Sequence, residues 1–103
     1  MKKTIVLYLL LFCSTISFAQ VNQVYAGNIE IYQNFASTFV APRNVSVWLP
    51  ENYYPKKKYA VLYMHDGQNL FNEKTAYAEE WGVDECLDSL QDQLQKECIV
   101  VGI

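Results

Sequence analysis

Residues 59–71 read Tyr-Ala-Val-Leu-Tyr-Met-His-Asp-Gly-Gln-Asn-Leu-Phe, and residues 99–103 read Ile-Val-Val-Gly-Ile. The apolar parts of both stretches do not alternate with polar residues, which is typical of strands buried on both faces of a parallel sheet. Between them, apolar residues recur at helical spacing and predict a helix over Glu79–Glu97. These residues are Val83, Leu87, Leu90 and Leu94. Strand Tyr59–Met64, loop, helix and strand Ile99–Ile103 therefore predict one right-handed βαβ unit.

Two earlier segments show the alternation of half-buried strands. Apolar and polar residues alternate through Ile29–Phe35 and again through Arg43–Leu49. The connection between them, residues 36–41, is short, so we expect the two strands to pair antiparallel. The predicted fold class is α/β, with an antiparallel leading pair followed by the βαβ unit.

The start of the chain has the pattern of a targeting segment. Lys2 and Lys3 precede 15 residues, Thr4–Phe18, that are apolar apart from Ser and Thr, and Ser17-Phe18-Ala19 places small residues around a cleavage site. This pattern predicts a signal peptide over residues 1–19 and a mature domain over residues 20–103, secreted or periplasmic. A membrane anchor would need roughly 20 apolar residues, so no membrane association is expected after cleavage. Cys13 raises a lipoprotein alternative, which the bulky Phe12 disfavours.

Composition excludes several classes of function. The chain has 103 residues with 8 Lys and Arg against 11 Asp and Glu. A net charge of −3 does not favour nucleic-acid binding, which usually requires a basic surface. The single histidine and the lack of a Cys-x-x-Cys motif give no metal-ligand spacing, so we expect neither metal nor cofactor. We expect Cys86 and Cys98 to be unpaired and buried, because the predicted helix holds them apart.

The loop His65–Phe71 leaves the carboxyl end of a predicted strand, where ligands bind in open α/β sheets. Gly67 permits a positive φ, which would turn the next amide, on Gln68, toward a cleft. Backbone N–H groups presented in this way stabilise the oxyanion of acyl transfer.

Four stretches together resemble the putative-esterase family of α/β-hydrolases, which includes enterochelin-esterase-like, feruloyl-esterase-like and S-formylglutathione-hydrolase-like enzymes. They are residues 45–50, 59–71, 80–85 and 99–103, so the resemblance covers about 43–103. The His-Asp-Gly-Gln-Asn-Leu-Phe stretch followed by Trp-Gly-Val-Asp is most similar to the enterochelin-esterase-like branch. The resemblance implies the amino-terminal portion of an α/β-hydrolase sheet, and a serine ester hydrolase that acts on a small-molecule ester through an acyl-enzyme.

The resemblance also implies roles for the loop residues. The Gln68 backbone amide corresponds to one oxyanion-hole donor, with Gly67, Asp66 and His65 shaping the loop, and Asp66 stands where many relatives carry glycine. His65 is not expected to be the general base, because the triad of α/β-hydrolases runs Ser, acid, His along the chain. Trp81 resembles an aromatic that packs under this loop, and a plain core role is an equal alternative.

The chain contains no Gly-x-Ser-x-Gly nucleophile elbow. In the family this motif, the acid and the histidine follow later, so we expect the sequence to be the amino-terminal part of a longer esterase, inactive as it stands. One alternative is a short, non-catalytic secreted domain that binds a ligand or partner through residues 65–78. Another is a carbohydrate-binding β-module suggested by Trp48, Tyr53 and Tyr54, which the predicted helix disfavours.

Overall fold

The structure is a computed structural model that describes residues 24–103. Its strands are β1 Asn28–Phe35, β2 Arg43–Leu49, β3 Ala60–Met64 and β4 Cys98–Gly102; its helices are a 3₁₀ helix Gly67–Asn69 and α1 Val83–Leu94. The signal peptide predicted over residues 1–19 lies outside the described residues. Within residues 24–103, neither helix has the length and apolar character needed to cross a membrane.

The four strands form one mixed sheet in the order β1-β2-β4-β3. β1 pairs antiparallel with β2, β2 pairs antiparallel with β4, and β3 pairs parallel with β4. The predicted antiparallel leading pair and βαβ unit are therefore confirmed, with each strand within one residue of its predicted bounds. The parallel pair forms because α1 carries the chain back to the starting end of the sheet.

The core lies on one face of this sheet. Ile29 pairs with Trp48, and Trp48 pairs with Val100, so the three side chains share a face. Trp48 and Val100 are fully buried there against three further residues, Leu70, Phe71 and Val83. The Trp48 indole N–H donates to the carbonyl oxygen of Ala26 at 2.8 Å, so its buried polar atom has a partner. The loop after β3 thus contributes as much to the core as the helix does.

The expectation that β3 is buried on both faces is wrong for the described part of the chain. Val61, Leu62 and Tyr63 are 46%, 42% and 69% exposed. β3 lies at the edge of the sheet, and residues 24–103 supply only one covering layer. A continuous apolar run shows that a strand tolerates burial on both faces, but it does not show what covers it.

The helix is shorter than the predicted Glu79–Glu97. Gly82 and Gln95 flank it with φ of 60° and 53°, and this left-handed backbone ends the helix on both sides. Its apolar stripe is only partly covered, because Val83 is buried whereas Leu94 is 62% exposed.

The two cysteines of the described residues are both free, as predicted. Cys86 is exposed, so its predicted burial is wrong: it lies on a side of α1 that the sheet does not cover. Cys98 is half-buried, and this burial raises the pKa of its thiol.

Candidate functional site

The loop that follows β3 is fastened to the residue that follows β4. The amide of Ile103 donates to the carbonyl oxygen of Met64 at 2.9 Å, and the Ile103 carbonyl accepts from the amide of Gly67 at 3.4 Å. Two neighbouring parallel strands therefore hold the start of the loop at their common carboxyl end. This is the edge of the sheet where ligands bind in open α/β folds.

The turn in this loop is made by Asp66, not by Gly67. Asp66 has φ 57° and ψ 48°, and its carbonyl accepts from the amide of Asn69 at 2.8 Å. The glycines with positive φ in the described chain are Gly27 and Gly82, so the positive φ predicted for Gly67 is wrong. Asp is one of the few residues that adopt the left-handed region readily, and this allows it to start the 3₁₀ helix.

Gly67 is required for a different reason, which is its close approach to β4. A Cβ atom added to Gly67 would lie 2.8 Å from both the carbonyl carbon and the carbonyl oxygen of Gly102. Any side chain at position 67 would therefore push the loop away from the sheet. The sequence indicated the right residue, but its role is to permit packing, not an unusual backbone angle.

The Gln68 amide makes no hydrogen bond to any residue from 24 to 103, whereas the amides on both sides of Gln68 have partners. The Gln68 carbonyl, which belongs to the following peptide group, accepts from the Thr75 hydroxyl at 3.0 Å and holds the backbone on the other side of the Gln68 Cα. Gln68 is exposed. The result is a positioned backbone donor that a ligand can use.

A cavity of about 500 Å³ adjoins this amide. Gly67 and Gln68 form one part of its wall, Ile103 another, and β1 and β2 contribute Ile29, Ile31, Arg43 and Ser46. The volume lies within the range of about 300–1,000 Å³ that is usual for small-molecule sites. Among the described residues that line it, Arg43 alone is charged. The geometry suits a small, mostly apolar ligand with one polar group near Gln68.

A family model described as "Putative esterase" matches residues 36–103 of the chain. The chain belongs to the putative esterase family. The matched region contains the whole loop His65–Phe71, the βαβ unit and most of the cavity wall. No curated protein and no solved structure matches the chain. Membership indicates ester hydrolysis with a small-molecule substrate; the enterochelin-esterase-like branch stays a prediction.

The sequence predicts that two side chains support this esterase-family loop: His65 by hydrogen bonding and Trp81 by packing beneath it. The His65 side chain is exposed and makes no hydrogen bond to residues 24–103, so its part in shaping the loop stays a prediction. The Trp81 side chain is 59% exposed, so residues 24–103 do not bury it in a core. Its packing beneath the loop stays a prediction. Trp81 contributes through its backbone instead, since its amide donates to the carbonyl oxygen of Asn69 at 2.9 Å.

The esterase-family loop is completed by Leu70 and Phe71, which fasten it to the core. Leu70 is fully buried, and its carbonyl accepts from the amide of Val83, the first residue of α1, at 3.0 Å.

Sequence reasoning did not identify the cavity residues Arg43 and Ser46. They lie on β2, 22 and 19 positions before His65, and only the sheet pairing brings them to the loop.

A cluster of carboxylates ties the chain before β1 to the start of α1. Asp84 is fully buried, and its Oδ2 accepts from the amides of Tyr25 at 2.7 Å and Ala26 at 3.4 Å. Glu80 and Glu85 bring one carboxylate oxygen each to within 4.8 Å of Asp84. Burial, followed by the neighbouring Asp84 carboxylate, raises the pKa of Glu85. The hydrogen bonds of Asp84 give this cluster a structural role.

Proposed function

We propose that this chain provides the oxyanion-binding part of the active site of a secreted serine ester hydrolase, with the Gln68 amide as donor. The observation that carries the proposal is the Gln68 N–H, which has no partner among residues 24–103 and belongs to a residue of the cavity wall at the carboxyl end of the sheet. In α/β-hydrolases, one of the two oxyanion-hole amides comes from the loop after the third strand. Gln68 lies in the loop after the third strand of this chain.

The proposed chemistry assigns Gln68 a role in the transition state. A serine hydroxyl attacks the ester carbonyl carbon while its proton passes to a histidine, and the negative charge collects on the former carbonyl oxygen. The Gln68 N–H would donate to that oxygen. Expulsion of the alcohol leaves an acyl-enzyme, which water then hydrolyses to the free acid. Because the charge develops only in the transition state, a fixed donor at this point lowers the barrier and not merely the Michaelis constant.

Other parts of the active site lie outside this sequence in the proposal. Residues 1–103 contain no Gly-x-Ser-x-Gly, so the nucleophile, the acid and the base would be encoded elsewhere in the gene. Residues 1–19 would direct export, which the basic start and apolar stretch support. The mixed sheet and the α-helix α1 of residues 24–103 are compatible with the amino-terminal portion of an α/β-hydrolase.

A backbone substitution tests the role of Gln68 in the product of the complete gene. Gln68→Pro removes the N–H, and position 68 lies inside the 3₁₀ helix, where proline's fixed φ is accepted. We expect kcat for p-nitrophenyl acetate to fall by about 10²–10³. Gln68→Ala keeps the N–H and removes only the side chain, so it should lose far less. Equal losses in the two folded variants, or no loss with proline, would contradict the proposal.

The coding DNA beyond codon 103 distinguishes this proposal from a non-catalytic ligand-binding domain. An open reading frame with Gly-x-Ser-x-Gly, followed by an acid and a histidine, would support the hydrolase. A stop codon at that point would favour the binding domain, whose ligand would occupy the same cavity.

A further inference from the structure

The cavity beside Gln68 has an unusual balance of charge for this protein. The chain as a whole carries a net charge of −3, yet the residues from 24 to 103 that line the cavity include Arg43 and no Asp or Glu. Most of the remaining wall is apolar, through side chains that include Ile29, Ile31, Phe71 and Ile103. The cavity therefore combines an apolar interior with one positive charge.

Arg43 has no carboxylate partner within the described chain. The ion pair found among residues 24–103 joins Lys57 and Glu97, which lie elsewhere on the surface. The preceding Pro42 and the pairing of Arg43 with Phe35 fix the backbone of Arg43 at the start of β2. An arginine with an anchored backbone and a free guanidinium is suited to bind an anion from a ligand, because its planar donors match a carboxylate.

We propose that this cavity selects an ester that also carries a carboxylate, with Arg43 as the residue that determines this specificity. The inference rests on the proposed function of the Gln68 amide. The apolar wall binds the hydrocarbon body of the substrate, and the Arg43 guanidinium binds its carboxylate.

The test compares two esters of equal chain length in the product of the complete gene. p-Nitrophenyl hemisuccinate carries a terminal carboxylate, whereas p-nitrophenyl butyrate ends in a methyl group. Arg43→Gln should lower the ratio of kcat/KM for hemisuccinate to that for butyrate by about 10- to 100-fold, the usual contribution of a hydrogen bond to a charged group. Arg43→Lys should lose part of this preference. The effect should shrink in 1 M salt, where screening is strong.

Lys56→Gln provides the matched control, because it removes one positive charge from an exposed turn that does not line the cavity. This variant should leave the ratio of the two esters unchanged. If Arg43→Gln also leaves the ratio unchanged in an enzyme that hydrolyses both esters, the specificity inference is overturned and the proposed esterase function stands.

A binding measurement separates this inference from the proposed function. N-butylsuccinamate and N-butylbutyramide are amides of the same two acids, and calorimetry reports their affinities without any hydrolysis. Tighter binding of the succinamate that is lost in Arg43→Gln would support the inference even if no ester were hydrolysed. Equal binding of the two amides by the unmodified protein would overturn it.

Discussion

The contact between Gly67 and Gly102 is the point at which the site depends most directly on the fold. Replacing Gly67 by Ala places a Cβ 2.8 Å from two backbone atoms of Gly102. Carbon atoms in ordinary contact lie about 3.5–4.0 Å apart, so about 1 Å of overlap must be relieved. A backbone atom cannot rotate away as a side chain can, so the loop must move off the sheet.

The expected cost follows from this geometry. Overpacking a well-packed site lowers the free energy of unfolding by about 1–3 kcal/mol. We expect a loss near the upper end, about 3 kcal/mol, because the overlap is with backbone atoms. In a domain of 60–100 residues each kcal/mol of lost stability lowers Tm by about 4–8 °C, so Gly67→Ala should lower the Tm of this chain by about 12–24 °C. Because the same shift displaces the Gln68 amide, ester turnover measured below Tm should fall as well.

Two further variants make this reasoning testable by urea and thermal denaturation followed by circular dichroism. Gly102→Ala introduces the reciprocal overlap, 2.8 Å from Gly67 Cα, so the double variant should cost less than the sum of the two single ones. Gly82→Ala is the control: its φ is 60°, but its Cβ would meet only the flexible Glu85 carboxylate at 3.1 Å. Gly82→Ala should lower the free energy of unfolding by about 1–2 kcal/mol, through backbone strain alone. A Gly67→Ala variant that is no less stable than Gly82→Ala, or that retains full ester turnover, would contradict the steric role of Gly67.

Two more substitutions test the turn and the carboxylate cluster. Asp66→Gly removes the strain of a left-handed Asp but adds chain entropy to the unfolded state, so its stability in urea should stay within about 1 kcal/mol of the original. Asp66→Val should cost more, because a β-branched residue is poorly accommodated at this φ, and a larger loss for Gly than for Val would contradict the reported backbone. Glu85 has a raised pKa in the folded protein, so the folded state binds its proton more tightly than the unfolded state does. Its contribution to stability should therefore decline as pH rises from about 4.3, the unfolded pKa, through the folded pKa. The loss of unfolding free energy between pH 5 and pH 8 should be smaller in Glu85→Gln, and an unchanged pH profile in that variant would be the contrary result.

Local patterns in the sequence predict the four strands, the α-helix and the family resemblance. Alternation defined β1 and β2, unbroken apolar runs defined β3 and β4, and leucine spacing defined the middle of α1. These patterns depend on residues that are near one another in the sequence, so they can be recognised without knowledge of the tertiary structure. The stretch His65–Phe71 likewise identified the loop, because its residues are contiguous in the sequence.

The way in which the candidate site is assembled is visible only in the tertiary structure. The positive φ at Asp66 and the close contact of Gly67 with Gly102 depend on how the loop lies against β4, and position 102 is 35 residues further along the chain. The exposure of β3 depends on which layers cover the sheet, and the chain's own apolar pattern does not encode that. Arg43 reaches the cavity because its strand, β2, pairs with β4, which lies far along the chain. Packing and pairing are non-local, so no pattern within one segment reveals them.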